Sequence, residues 1–157
     1  MYTYVIIDDE PLIRRGTKKK LEPLSHLLTC CGEASDGREG LELVRQLKPD
    51  IVILDMQMPV MDGTELLPAL SEEFPSTALI VISGFQNFDY MKQAISSKVI
   101  DYILKPFSKD EIQQTVLKTI DSLKDKEAED HHLTSMVQEK EEAFYSLDLN
   151  LLTDFLL

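Results

Sequence analysis

Four stretches of the chain end an apolar run on a side chain capable of chemistry. Tyr2-Thr3-Tyr4-Val5-Ile6-Ile7 gives way to Asp8-Asp9-Glu10, and Ile51-Val52-Ile53-Leu54 to Asp55. Ala78-Leu79-Ile80-Val81-Ile82 ends on Ser83-Gly84, and the run from Val99 to Leu104 on Lys105-Pro106. Carboxylates gathered in one place raise one another's pKa and strain the site unless a cation neutralises them. All-oxygen donors suit a small hard divalent ion; Mg²⁺ takes one or two carboxylates and a phosphate oxygen while keeping several waters. A carboxylate can itself attack phosphorus to give an acyl phosphate, which needs alignment and charge neutralisation more than acid–base work. Lys105 would neutralise the equatorial oxygens beside the metal, and Ser83 would donate a hydrogen bond to one of them. These residue types point to phosphoryl transfer in which the protein supplies the nucleophile.

That chemistry needs a scaffold that gathers the four stretches. Apolar, β-branched runs of strand length bounded by turn residues read as strands buried on both faces, and Leu27 to Ala34 adds a shorter one, stopped by Ser35-Asp36-Gly37. Pro11 is suited to the first position of a helix running to Leu21. On it, Arg14, Arg15, Lys18, Lys19 and Lys20 read as a solvated face with cations toward the C-terminus, where the dipole favours them. Asp36 with Glu39, and Ser108 with Glu111, have capping-box spacing. They open helices carrying Leu41, Val44 and Leu47, and Ile112, Val116, Ile120 and Leu123. A helix with Leu66, Leu67, Leu70 and Phe74 follows Asp62-Gly63, with Pro68 expected to kink it or delay its start. Asn87 caps a helix whose apolar stripe is Tyr90, Met91, Ala94 and Ile95.

Strand and helix alternate five times, the pattern of an α/β fold with a parallel sheet. Right-handed crossovers then give a doubly wound, flavodoxin-like sheet of order 2-1-3-4-5 with helices on both faces. In that order the first and third strands are neighbours. Asp8, Asp9 and Asp55 converge at the carboxyl edge of the sheet, where such folds bind ligands, and Ser83 and Lys105 reach the same edge.

The bulk composition narrows the setting. A chain of 157 residues fits one domain with a short appendage, and 43% hydrophobic with 28% charged residues is usual for a soluble globular protein. A formal net charge of −12 is poorly suited to gripping a nucleic-acid backbone. No apolar stretch approaches the roughly 18 residues of a membrane span, and no secretory signal is visible, so a cytoplasmic location is expected. The adjacent Cys30 and Cys31 are expected to be reduced. His131 and His132, in a charged stretch, read as solvated, and Met56, Met58 and Met61 as loop packing rather than ligands. Beyond Leu123 the composition turns almost wholly charged. Met136, Val137, Phe144, Leu147 and Leu151 then recur at helical spacing, and the last residues, Leu149 to Leu157, are mostly apolar. The expected division is a domain over residues 1–124 and a helical extension over 125–157.

Asp8-Asp9-Glu10-Pro11, the Asp55 strand with Met58-Pro59 and Met61-Asp62-Gly63, Ser83-Gly84, and Asp101-Tyr102-Ile103-Leu104-Lys105-Pro106-Phe107 together resemble the receiver domain of bacterial response regulators. The likeness covers roughly residues 2–124. It implies that Asp55 accepts a phosphoryl group from a histidine of a sensor kinase, and that Lys105 is the family's invariant lysine, with a cis bond to Pro106. It further implies that Asp9, Asp55 and the backbone carbonyl of Gln57 ligate Mg²⁺ or Mn²⁺, with Asp8 acting mainly through water. Ser83 and Tyr102 match a switch pair. On phosphorylation the hydroxyl moves to the phosphoryl group and the ring turns inward, reshaping a face at which receivers dimerise or dock an output domain. The wording Ser-Gly-Phe…Phe-Asp-Tyr…Ala-Ile…Asp-Tyr-Ile-Leu-Lys-Pro is most similar to receivers that precede an AraC-type DNA-binding domain. On that likeness, residues 125–157 begin a linker cut before its output domain, and DNA would be reached only through that missing domain.

Two positions depart from the family pattern. Val60 replaces a frequent glycine, which stiffens the loop after Asp55 without removing a catalytic group. Lys98 stands where relatives often end the fourth helix with glycine, so that turn is expected to close differently. A haloacid-dehalogenase-type phosphatase would need a second Asp two positions after Asp55, where Gln57 stands. A stand-alone receiver, or an interaction module independent of phosphorylation, remains as the alternative reading.

Overall fold

Each of the expected apolar runs forms a strand. β1 (Tyr2–Ile7), β2 (Leu28–Ala34), β3 (Ile51–Leu54), β4 (Ala78–Ser83) and β5 (Asp101–Leu104) pair in parallel in the order β2-β1-β3-β4-β5. This computed structural model describes residues 1–130 and residue 136. β3 and β4 are buried along their whole length, as central strands covered on both faces must be. Alternation divides their side chains. Val5, Ile7, Val52, Leu54, Leu79 and Val81 join a cluster with Leu41, Val44, Leu66, Leu67 and Leu70. On the other face Ile6, Ile51, Ile53, Ile80 and Ile82 are buried, and so are Thr17, Leu21, Ile112, Val116 and Ile120.

The helices are α1 (Pro11–Leu21), α2 (Gly37–Leu47), α3 (Gly63–Glu73), α4 (Phe88–Ser96) and α5 (109–130), with a 3₁₀ turn at Glu22–Leu24 after α1. Their starts follow the expected caps. Asp36 accepts from the Glu39 amide at 2.8 Å, Asn87 from Tyr90 at 2.9 Å and Ser108 from Glu111 at 3.1 Å. Pro68 does not delay α3, which begins at Gly63 with Asp62 accepting from the Thr64 amide. Inside the helix Pro68 forgoes the hydrogen bond to the Thr64 carbonyl, four residues back, and its ring crowds that carbonyl. β5 is shorter than the Val99–Leu104 run because the Val99 amide is taken by the carbonyl of Ala94 in the turn after α4; the Ile100 amide, one residue before the strand, already bonds to Leu79 of β4. Of the stripe expected on α4 only Ala94 is buried; Ile95 faces solvent.

The turn after α4 corrects an expectation. Lys98 itself adopts the left-handed conformation, φ 56°, so the helix closes as it would around glycine. The Lys98 and Val99 amides bond to Ile95 and Ala94, both at 3.1 Å. Those bonds offset the roughly 1–2 kcal/mol that a Cβ costs there. Lys48 closes α2 in the same way, at φ 46°. Val60 is the third such residue, at φ 70°, in a tight turn where the Met61 amide donates to Pro59 at 2.8 Å. The Lys105–Pro106 bond is cis.

The chain divides into two compact units, Met1–Ile120 and Asp121–Leu157. In the second, residues 121–130 and Met136 are helical, and Met136 is exposed. His131, His132, Val137, Phe144, Leu147, Leu151 and the apolar tail lie outside the described residues. Among the described residues no helix is long and apolar enough to cross a membrane. Both cysteines are free thiols, Cys31 on the exposed side of β2.

Candidate functional site

The sheet places Asp8, Asp55 and Lys105 one residue past the ends of β1, β3 and β5. The Asp55 amide continues the ladder by donating to Ile7 at 3.0 Å, and the Asp8 amide donates to Ala34 at 3.0 Å. Both carboxylates therefore leave well-ordered backbone, and both are almost wholly buried, Asp8 at 2% and Asp55 at 4% exposure. The Lys105 amide donates to Ser83 at 2.9 Å, which fixes the root of the lysine beside them. Its ammonium reaches Asp8 at 2.9 Å, Asp55 at 3.0 Å and Glu10 at 3.3 Å. The acids are further anchored by backbone amides, Glu10 donating to Asp8 at 2.9 Å and Gln57 to Asp55 at 3.4 Å.

One cation thus serves two buried carboxylates, and the titration behaviour follows from that imbalance. Burial pushes the Asp8 carboxyl above its ordinary value and the nearby Asp55 charge adds to this, outweighing the Glu10 amide and Lys105. Burial alone would lower the Lys105 ammonium, but the hydrogen bond to Asp8 and the charge of Asp55 hold it well above the usual lysine range. Asp8, Asp9, Glu10 and Asp55 can bring one oxygen each within 4.8 Å of one another. Four hard oxygen donors with a single ammonium among them fit a small divalent ion. Asp9 strengthens that fit: its exposed carboxylate has no hydrogen bond or ion pair within the protein among the described residues. The cleft above the acids has a volume of about 380 Å³ and is lined by Asp9, Glu10, Asp55, Gln57, Met58, Gly84, Phe85 and Lys105.

Ser83 and Tyr102 reach this edge of the sheet by another route. Ser83 is fully buried, and its hydroxyl accepts from the Phe85 amide at 3.2 Å. The Tyr102 hydroxyl donates to the Phe85 carbonyl in a short hydrogen bond. Burial holds that hydroxyl above the usual tyrosine value. The peptide groups of Phe85 therefore tie the two side chains to one loop. Asp8, Asp9, Asp55 and Lys105 come together as the sequence predicts, with Gln57 lining the cleft.

Sequence reasoning missed three residues. Glu10 is the third partner of Lys105; its place directly after the acid pair is the signal that could have found it. Phe85 bridges Ser83 and Tyr102 through its backbone, which no side-chain pattern reports. Arg14 does not belong to the expected solvated face: its side chain is mostly buried, donating from Nη1 to the Asp8 carbonyl at 2.6 Å and from Nε to Glu33 at 3.3 Å.

The response regulator receiver domain family matches residues 4–117 of this sequence. The chain belongs to that family. It carries a receiver domain of two-component response regulators. The transcriptional regulatory protein YesN of Bacillus subtilis, itself uncharacterised, is 38% identical over 124 residues, 79% of this chain and 34% of the relative. The transcriptional regulatory protein HptR of Staphylococcus aureus is 37% identical over 106 residues, 68% of this chain and 41% of that protein. This receiver thus spans well under half the length of these curated relatives. Among solved structures, the receiver domain of the response regulator AraT from Geobacillus stearothermophilus superposes with a TM-score of 0.75 at 33% identity. That match covers 80% of this chain and 98% of the other.

Proposed function

We propose that Asp55 accepts a phosphoryl group from a phosphohistidine of a sensor kinase, and that residues 1–124 form the switch this charge operates. The observation that carries the reading is the Asp55 carboxylate itself. It ends a fully buried central strand and is held 3.0 Å from a buried lysine at the floor of an acidic cleft. A carboxylate oxygen of Asp55 forms the new O–P bond as the N–P bond breaks, and the imidazole leaves with the electron pair of that bond. Lys105 neutralises charge on the phosphoryl oxygens and is already in place before transfer. Asp9, Asp55 and the backbone carbonyl of Gln57 would hold Mg²⁺ or Mn²⁺, with Asp8 acting mainly through water. That ion supplies the remaining charge neutralisation at the phosphoryl group.

Ser83 and Tyr102 form the switch pair. A Ser83 hydroxyl that turns to a phosphoryl oxygen must let go of the Phe85 amide, and the same residue holds the hydroxyl of Tyr102. The released loop changes the surface of α4, β5 and α5, where Ile95, Leu104 and Leu117 are exposed. We read that surface as the site of homodimerisation on phosphorylation. Residues 125–157 are read as a linker to a transcription-regulating output domain, in line with the names of the Bacillus and Staphylococcus relatives. DNA is then contacted only through that output, in the cytoplasm.

Intact mass after incubation with acetyl phosphate tests the core of this reading. One phosphoryl group should appear in the presence of Mg²⁺, and none without the ion or in Asp55→Ala. Labelling of Asp55→Ala would move the acceptor elsewhere. An unlabelled wild type that also gives no beryllofluoride-induced NMR shifts would favour an interaction module independent of phosphorylation.

A further inference from the structure

We propose that Arg14 is a positioning residue for the divalent-ion site, acting through the Asp8–Asp9 peptide; this rests on the reading of Asp9 as a ligand. The four acids of the cluster are not held alike. Asp8 is fixed by Lys105 and the Glu10 amide, Asp55 by Lys105 and the Gln57 amide, and Glu10 by Lys105. The Asp9 carboxylate has no such partner among the described residues, so where it stands is decided by its backbone. Arg14 holds that backbone. Its Nη1 donates to the Asp8 carbonyl at 2.6 Å, which sets the plane of the peptide joining Asp8 to Asp9.

The arginine is itself fixed from the other side. Its Nε reaches Glu33 of β2 at 3.3 Å, and Glu33 also holds Lys18 at 2.7 Å. Glu33 lies opposite Ile6 in the β1–β2 pairing. The guanidinium therefore spans from the edge strand to the turn that carries three of the four acids, and its side chain is only 18% exposed. The rigid fork of a guanidinium can serve two acceptors in different directions, which a lysine ammonium at the same place does not reproduce.

Charge and positioning predict opposite outcomes, so the two can be separated. A cation beside an acidic cluster opposes a second cation. On charge alone, Arg14→Gln would tighten Mg²⁺ binding and Arg14→Lys would leave it unchanged. Positioning requires both variants to bind more weakly. The experiment is a calorimetric titration of Mg²⁺ into the full chain for the wild type, Arg14→Lys, Arg14→Gln and Asp9→Asn. The expected result is a Kd about tenfold higher in both Arg14 variants, at the low end of what loss of a partner behind a ligand brings. The Mg²⁺ concentration that half-saturates labelling by acetyl phosphate should rise in step, with full labelling recovered at high Mg²⁺.

Unchanged affinity in Arg14→Lys, or tighter binding in Arg14→Gln, overturns the inference and leaves Asp9 as a ligand if Asp9→Asn has lost binding. Wild-type affinity in Asp9→Asn removes the ligand reading and this inference together. Should the Arg14 variants fail to fold, Glu33→Gln severs the outer anchor. Measured at high salt, where its change of surface charge is screened, it should weaken binding in the same direction, and unchanged affinity there counts against the proposal.

Discussion

Replacing Val60 by glycine should stabilise this domain even though it deletes a side chain beside the site. Val60 is held at φ 70°, in a turn closed by the Met61 amide on the Pro59 carbonyl. A non-glycine residue in such a conformation stores about 1–3 kcal/mol, and a β-branched one belongs in the upper part of that range, about 2–3 kcal/mol. Against this, Val60 is 66% exposed. Removing its buried third gives up roughly 0.5–1 kcal/mol of apolar burial. The greater freedom of glycine in the unfolded chain takes back roughly 0.5–1 kcal/mol more. The balance is a gain of about 1 kcal/mol, or about 3–5 °C in Tm for a domain of this size. Urea unfolding followed by far-UV circular dichroism without Mg²⁺ measures it free of metal linkage. Val60→Ala is the control, because it keeps the Cβ and the strain common to all non-glycine residues, shedding only the β-branched part while losing burial. Those two changes offset, so it should stay within about 0.5 kcal/mol of the wild type. Equal gains for the alanine and glycine variants, or a lower urea midpoint for glycine, would refute the assignment of strain to this residue.

Three other perturbations follow from the geometry. Gly37→Ala should cost about 2–3 kcal/mol by urea unfolding, toward the top of the overpacking range. The added Cβ would stand 2.1 Å from the Met61 carbonyl oxygen, a backbone atom that already accepts from the Gly37 amide. Lys105→Met leaves Asp8 and Asp55 buried without their cation and should cost about 3 kcal/mol; thermal shift should show Mg²⁺ restoring more stability to this variant than to the wild type. Asp8 has a folded pKa above its unfolded one, first through burial. Its contribution favours the fold while the group is protonated and is lost as pH rises through the folded value. The urea midpoint of Asp8→Asn, relative to wild type and without metal, should therefore rise between acidic and neutral pH.

The sheet was legible because each strand is an apolar run that ends abruptly on turn or charged residues, and because alternation with helices leaves few topologies. From that order alone Asp8, Asp9, Asp55 and Lys105 had to meet. Helix starts were legible for a similar reason: Asp36, Asn87 and Ser108 act on amides three residues away, within reach of a local pattern. Helix faces were less so. Ile95 fits an apolar stripe yet faces solvent, because a stripe reports spacing and not whether a neighbour covers it. Lys98 adopts a conformation that residue preference argues against, since tertiary closure outweighs roughly 1–2 kcal/mol of local cost. The Arg14 bond to Asp8 and the Phe85 bridge use backbone carbonyls and amides, which every residue carries and no sequence marks.

The residue proposed to receive the charge stands on the least yielding part of the molecule. β3 is the middle strand of five, buried along its whole length, and Asp55 extends its ladder by one bond to Ile7. Such an element opens only near the full unfolding free energy. The β4–α4 loop is its mechanical opposite: residues 84–87 are exposed, and Phe85 links them to Ser83 of β4 and Tyr102 of β5 through one hydrogen bond each. When a load is applied between a stiff support and a compliant one, the displacement appears in the compliant one. In the proposed switch, charge added at Asp55 would therefore not be dissipated where it lands, and would be carried as movement to the surface of α4 and β5.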